Sequence, residues 1–183
     1  MSTFTYQVLK DTTQKTVIKL TGVFTDNVPE SNVNRVTANS LFGALDNSLA
    51  NALSSRANTG SLPYYGLEVT KLWYDVNMYN TSGKGHVQLF WSGNNATAGV
   101  SANDAMIITA ADIGNWDEHG SYANIMNNSP SPYYGNIGIR TVGQVANSSY
   151  TIIMELRKNN AHYERGQLED PAAFNYGPYG PRP

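Results

Sequence analysis

The chain has 183 residues, 40% of them hydrophobic, which is enough length and apolar content for one domain with a buried core. Only 14% of the residues are charged and the formal net charge is -2, so the composition argues against binding nucleic acid through its phosphates. The absence of cysteine excludes disulfides, thiolate metal ligands and cysteine catalysis.

Seven segments have the composition and spacing of β-strands, with turn residues between them. In chain order they are FTYQVLK (4–10), KTVIKLTGVF (15–24), LEVTKLWYDVNMY (67–79), GHVQLFWS (85–92), DAMIITA (104–110), NIGIRTV (136–142) and SYTIIMELRK (149–158). About seven or eight strands predict an all-β fold, an antiparallel β-sandwich that resembles a jelly roll.

Alternation in two of these strands predicts which side chains face the core. In HVQLFWS one face carries Val87, Leu89 and Trp91, and the other carries His86, Gln88 and Phe90. In the last strand, the apolar face consists of Tyr150, Ile152, Met154 and Leu156. Its opposite face carries Thr151, Glu155 and Arg157, as expected where a sheet meets solvent.

One segment departs from the strand pattern. Between residues 38 and 57, four leucines lie four residues apart, which is the spacing of one helix face: Leu41, Leu45, Leu49 and Leu53. Gly43 and the β-type residues just before it weaken this prediction. The segment is therefore expected to be a short helical or loop insert.

Both ends of the chain are expected to act as arms of a domain that spans residues 1–158. Residues 1–12 alternate but are tied to their neighbour only by DTTQ, so they are a candidate for an exposed or donated strand. After Lys158 the composition shifts to NNAHYERGQLEDPAAFNYGPYGPRP, with four prolines and no alternation. Residues 159–183 are therefore expected to form an extended C-terminal arm.

Ordering this C-terminal arm costs on the order of 1 to 2 kcal/mol per residue, and its glycines and prolines prevent compensation by regular secondary structure. Contacts with other proteins are expected to compensate instead, by burial of aromatic and aliphatic side chains. The candidate anchors are Tyr163, Leu168, Phe174, Tyr176 and Tyr179.

The motif PYYG occurs at 63–66 and again at 132–135, both in expected loops. Tyrosine offers a large contact area at a low entropy cost, so Tyr64, Tyr65, Tyr133 and Tyr134 are further candidates for partner binding. The same rings are suited to stacking on sugars, or to holding the loops against their own domain.

The densest polar cluster, NWDEHG at 115–120, places Asp117, Glu118 and His119 in succession. Consecutive residues of a strand point to opposite faces, so this spacing is unsuited to a shared metal or acid–base site and predicts a solvated turn. His86 and His162 have no catalytic partner in the sequence, and no nucleophile motif occurs. We therefore expect no enzyme activity, no metal site and no cofactor.

Neither a signal peptide nor a membrane span is expected, because no basic segment followed by an apolar one opens the chain and no run of 18 apolar residues occurs. Binding to membranes and to nucleic acid is accordingly not expected.

Six segments, taken in order, resemble a group of small virion structural proteins of tailed bacteriophages, especially those of aquatic bacteria. They are VIKLTG (17–22), LEVTKLWYDVN (67–77), VQLFWSG (87–93), NWDEHG (115–120), GNIGIRTVG (135–143) and SYTIIMELRK (149–158). The shared order is a tryptophan-bearing strand, an aliphatic strand ending in tryptophan, a glycine turn and a tyrosine strand that closes on a basic residue. The resemblance spans roughly residues 13–158 and omits the insert at 41–56 and the C-terminal arm.

The resemblance implies a non-enzymatic β-sandwich, made in the host cytoplasm, that attaches to the capsid surface of the virion as a decoration or cement protein. The implied partner is the major capsid protein or another virion structural protein. A homo-oligomer is also implied, and a trimer is common in this group, although no heptad seam in the chain demonstrates one.

Two alternative functions for the same sandwich remain open. In the first, the same sandwich is a neck, collar or tail connector of the virion, which its copy number would distinguish. In the second, it is a carbohydrate-binding sandwich that recognises a host surface through Trp73, Trp91 or the PYYG loops. The alternation of Trp91 with Val87 and Leu89 argues against Trp91 in that role.

Overall fold

The structure, a computed structural model, describes residues 2–31, 33–44, 67–80, 83–92, 104–117, 125–126 and 136–158. Within these ranges a 3-10 turn at Ala38–Ser40 is the only helical element. The strands in chain order are β1 (Thr3–Asp11), β2 (Lys15–Val23), β3 (Val33–Val36), β4 (Leu67–Asn77), β5 (Tyr79–Asn80), β6 (Gly83–Lys84), β7 (His86–Trp91), β8 (Ala105–Ala110), β9 (Asp112–Asp117), β10 (Ile125–Met126), β11 (Ile137–Val142) and β12 (Ser149–Lys158). The predicted all-β fold is confirmed.

Ten of these strands form two antiparallel sheets, more than the seven or eight expected. The six-stranded sheet has the order β1-β2-β12-β4, and both β9 and β10 pair with the far side of β4. The four-stranded sheet has the order β3-β11-β7-β8. Strands β5 and β6 form a separate short hairpin.

Eight strands wrap around the core as one long hairpin folded across both sheets. Counted inward from its ends, the pairs are β2 with β12, β3 with β11, β4 with β9 and β7 with β8. Successive pairs lie in alternate sheets, so the connections pass repeatedly from one sheet to the other. This is the topology of a jelly roll, and β1 is an additional strand at its edge.

The core lies between the two sheets and follows the period-two pattern of the sequence. Tyr150, Ile152, Met154 and Leu156 of β12 are all buried, as are Val87, Leu89 and Trp91 of β7. These predictions are confirmed. Alternate side chains of a strand point to the same side of its sheet, and on this side they pack against the other sheet.

Three aromatic rings lie directly over a glycine of the neighbouring strand. A Cβ added to Gly22 would lie 2.2 Å from the ring of Tyr150, and one added to Gly138 would lie 2.4 Å from the ring of Phe90. Gly114 stands in the same relation to Tyr74. The glycines therefore provide the space that the rings fill, which fixes how the paired strands are aligned.

The alternation of β7 predicts that Phe90 lies with His86 and Gln88 on the face opposite Trp91, but Phe90 is fully buried. Besides Gly138, the guanidinium of Arg140 covers it, 5.4 Å from the ring centroid. This face of β7 is therefore polar only in part.

The turn expected over residues 115–120 is wrong for its first half, because Asn115, Trp116 and Asp117 belong to strand β9. Trp116 faces inward opposite Leu72 and packs against the core. The remaining residues, 118–120, lie outside the described part of the chain.

The insert expected at 38–57 is described only as far as residue 44. Its beginning forms the 3-10 turn, Leu41 is buried against the core and Gly43 has a positive φ of 73°. The helix prediction for residues 45–57 falls outside the described residues.

Because Tyr150 is buried and its ring occupies the position of a Cβ at Gly22, we expect Gly22→Ala to lower the free energy of unfolding by about 1 to 3 kcal/mol. Urea unfolding of both proteins measures the change. Lys19→Ala, on the opposite face of the same strand, is the control, and its effect is expected to stay within about 0.5 kcal/mol. Equal stability of Gly22→Ala and the native chain would contradict the packing described here.

Candidate interaction surface

A buried carboxylate joins the two sheets at one end of the sandwich. The side chain of Glu30, in the connection between β2 and β3, is only 1% exposed. Its Oε2 accepts a hydrogen bond of 2.7 Å from the Tyr150 hydroxyl of the six-stranded sheet, and its Oε1 accepts one from Arg35 Nε of the four-stranded sheet. The Glu30 backbone also exchanges two 2.9 Å hydrogen bonds with Thr141 of β11. One residue thereby connects three strands.

A row of three aromatic rings leads from this carboxylate to the edge strand β1 of the six-stranded sheet. Phe24 lies between Phe4 and Tyr150, with ring centroids 5.4 and 6.3 Å away, and Arg35 stacks 4.9 Å from the centroid of Phe4. Burial raises the pKa of Glu30, and the hydrogen bond from Tyr150 and the charge of Arg35 oppose this only in part. Burial beside Glu30 also raises the pKa of Tyr150, which keeps the phenol neutral as a donor.

A second polar cluster holds the opposite end of β12. The Lys158 side chain is fully buried, and its ammonium donates to the Asp11 carboxylate, to Thr12 O at 2.6 Å and to Phe42 O at 2.7 Å. Asp11 accepts in addition the backbone N–H of Phe42, 2.8 Å away. Burial lowers the pKa of Lys158, and Asp11 opposes that shift. The cluster ties the β1–β2 hairpin and the segment after the 3-10 turn to the last residue of β12.

Strand β1 forms an open edge of the six-stranded sheet. It pairs with β2 over its length, with a bulge at Leu9, and no described strand pairs with its other side. The inward-facing Tyr6 and Val8 remain 40% and 42% exposed because β1 is added beyond the four strands that face the second sheet. The structure thus places residues 3–11 in the sheet of their own domain, and among the described strands β2 is their one partner.

The outer face of the six-stranded sheet carries a partly exposed tryptophan. Trp73 of β4 is 41% exposed and lies opposite Ile153 of β12 and Asn115 of β9. On β9, Ile113 is 71% exposed, opposite Asp75. An ion pair between Lys71 and Asp117, with a nitrogen–oxygen distance of 3.5 Å, borders the same patch. An apolar centre with an amide and charged groups around it is suited to binding a flat ligand face.

The polar side chains that the sequence analysis considered for chemistry make separate contacts in the described part of the chain. No group of three or more His, Asp or Glu side chains that would hold a metal ion occurs among them. Asp117 pairs with Lys71 on the outer face while its neighbour Trp116 points inward, and His86 lies 3.3 Å from the Gln88 amide. No helix in the described part of the chain is long and apolar enough to span a membrane.

The nine side chains expected to bind a partner all lie outside the described residues. They are Tyr64, Tyr65, Tyr133, Tyr134, Tyr163, Leu168, Phe174, Tyr176 and Tyr179. Of the two tryptophans considered for sugar binding, Trp91 is buried in the core and Trp73 is accessible. Sequence reasoning missed Glu30, which stands in a short polar connection with no motif around it.

Comparisons with protein-family models, with curated proteins and with solved structures found no match to this chain.

The raised pKa of Glu30 gives its contribution to stability a definite sign. The folded chain binds a proton on this carboxyl more tightly than the unfolded chain, so stability falls as the pH rises from the ordinary value of 4.5 to the higher folded value. Glu30→Gln removes this titration. Urea titrations at a series of pH values measure the free energy of unfolding of the native chain and of Glu30→Gln. We expect the value for the native chain minus the value for Glu30→Gln to decrease as the pH rises through this range.

Glu155 provides a control of opposite sign. Burial opposes ionisation of Glu155, but hydrogen bonds of 3.1 Å from Lys15 and Thr70 outweigh it and lower its pKa. Stability from Glu155 is therefore lost as the pH falls below 4.5, and the difference between the native chain and Glu155→Gln should increase with pH. A difference for Glu30→Gln that also increases with pH would contradict the assignment.

Proposed function

We propose that the chain is a non-enzymatic structural protein of a tailed-phage virion, which attaches to the capsid surface as a decoration or cement subunit. Two lines of argument support this. The order of segments over roughly residues 13–158 resembles that group of proteins, and the jelly roll is a fold that viral capsid domains use.

The observation that carries the proposal is the open edge of the six-stranded sheet at β1. Its backbone groups on one side lack a strand partner among the described residues, and Tyr6, Val8 and Leu9 are each at least 40% exposed. An open edge of this kind binds another chain by strand addition, which is a route to protein assembly and supplies no chemistry for catalysis.

Attachment to particles tests this proposal directly. Quantitative mass spectrometry of purified virions should find the chain at a copy number comparable with that of the major capsid protein. A few copies per particle would instead favour the neck, collar or tail connector. Absence of the chain from purified virions would overturn the proposal.

The role of the C-terminal arm is tested with the same particles. We expect a chain ending at residue 158 to occupy them much less than the full chain, because the arm supplies five of the nine expected partner-binding side chains. Circular dichroism and thermal unfolding of the shortened chain control for loss of fold. Equal occupancy by both chains would rule out attachment through the arm.

Carbohydrate binding is a second candidate, favoured by the exposed position of Trp73. A sugar ring stacks on an indole through its apolar face, and Asn115, Asp75 and Lys71 lie around Trp73 with groups that pair with hydroxyls. If this outer face binds sugar, a glycan array should give saccharide signals that Trp73→Ala abolishes. Phe42→Ala, an exposed aromatic elsewhere, is the control and should leave the signals unchanged.

A further inference from the structure

The N-terminal part of β1 lacks the features with which proteins usually protect an open sheet edge. From Ser2 to Leu9 the sequence STFTYQVL contains no charge and no proline, and the first charged residue, Lys10, follows the bulge at Leu9. Edge strands are normally blunted by charges, prolines or bulges within the exposed stretch. The stretch Thr3–Val8 therefore has the character of a strand with a partner on its free side.

The other edge strands in the described part of the chain are short, charged or placed at a corner, and β10 has only two residues. Strand β3 has only four residues and includes Arg35, and β9 carries Asp112 and Asp117. Strand β8 is uncharged, but one residue after its end, Ala111, the chain enters β9 of the other sheet. The edge at β8 therefore adjoins a corner of the sandwich. Among the described edge strands, a long uncharged stretch without a second partner is specific to β1.

We propose that β1 pairs antiparallel with β1 of a second copy of this chain, around a two-fold axis at Tyr6. The inference rests on the proposed function, because it names a second copy of the chain as the occupant of the open edge and leaves attachment to the capsid to the C-terminal arm. The pairing would join two six-stranded sheets edge to edge into one continuous sheet.

The sequence of β1 is complementary to itself in this register. Tyr6 lies opposite Tyr6 of the second copy, Phe4 opposite Val8 and Thr5 opposite Gln7. Phe4, Tyr6 and Val8 point inward in both copies, so the apolar side chains meet on one face and the polar ones on the other. A shift by one residue would place inward side chains opposite outward ones, which is why the axis falls on a residue.

Charge also favours a second copy. No like charges oppose each other between Thr3 and Val8, and the first charged residue, Lys10, lies beyond the bulge and outside the paired stretch. Pairing of identical edges around a two-fold axis consumes both edges, so the assembly closes at two copies and does not extend into a fibre. This two-fold contact differs from the trimers that are common in the group that the chain resembles.

The absence of cysteine from the chain allows a direct test of the register. Under mild oxidation, full-length Tyr6→Cys should form a disulfide-linked dimer, because opposed Cα atoms at the axis are about 5 Å apart, which is within the range that a disulfide spans. Val8→Cys is the matched control and should remain unlinked, since its two copies lie on either side of the axis. Linkage of Val8→Cys in preference to Tyr6→Cys would overturn the proposal.

Sedimentation of the uncrosslinked proteins tests the pairing itself. We expect the native chain to be dimeric and Tyr6→Lys to raise the dissociation constant by more than about tenfold, because it opposes two like charges at the axis. Ile113→Lys, at the far edge of the same sheet, adds the same charge and should leave dimerisation unchanged. Thermal unfolding of each variant verifies that it folds.

The outcomes distinguish this inference from the proposed function. A native chain that is monomeric, yet present on purified virions, would overturn the pairing and leave the structural role intact. A Tyr6→Lys variant that dimerises like the native chain would show that another surface mediates association. A dimer with the expected register, absent from virions, would support the pairing and contradict the virion role.

Discussion

The structure depends on strand β12, which pairs along its whole length with β2 on one side and β4 on the other. Four of its side chains form part of the core, and both buried polar clusters are built on it. Tyr150, near its start, donates to the Glu30 carboxylate, and Lys158, at its end, binds Asp11 and two backbone carbonyls. Because an unpaired buried charge is costly, these partners determine which loops can lie at each end of the sandwich.

Much of the fold was predictable because its strands obey a simple alternation. The apolar faces of β7 and β12 follow directly from period two, and the number of such segments indicates a sandwich. Failures occurred where a single contact overrides the local pattern. Phe90 is buried on the nominally polar face since Gly138 leaves room for its ring. The polar cluster at 115–120 predicts a turn, whereas its first three residues belong to β9. These residues form a strand because they pair with β4. The amino-acid sequence alone does not reveal that pairing.

The candidate surfaces were predictable to a lesser degree. The alternation of β4 gives an outward position to Trp73, and the uncharged run in β1 is visible in the sequence. Whether that run lies in the middle or at the edge of a sheet depends on topology, which only the order β1-β2-β12-β4 provides. Glu30 has no sequence signal, because its role arises from three strands that are distant along the chain.

The position of Lys158 has a mechanical consequence. Tension applied to the chain beyond this residue enters the domain through β12, parallel to the strand. The hydrogen-bond ladders that join β12 to β2 and to β4 would then bear the load in shear, with many hydrogen bonds loaded at once. A terminal strand at a sheet edge has only one such ladder. A tether joined to the domain at this point would therefore pull along the direction in which the domain resists unfolding most strongly.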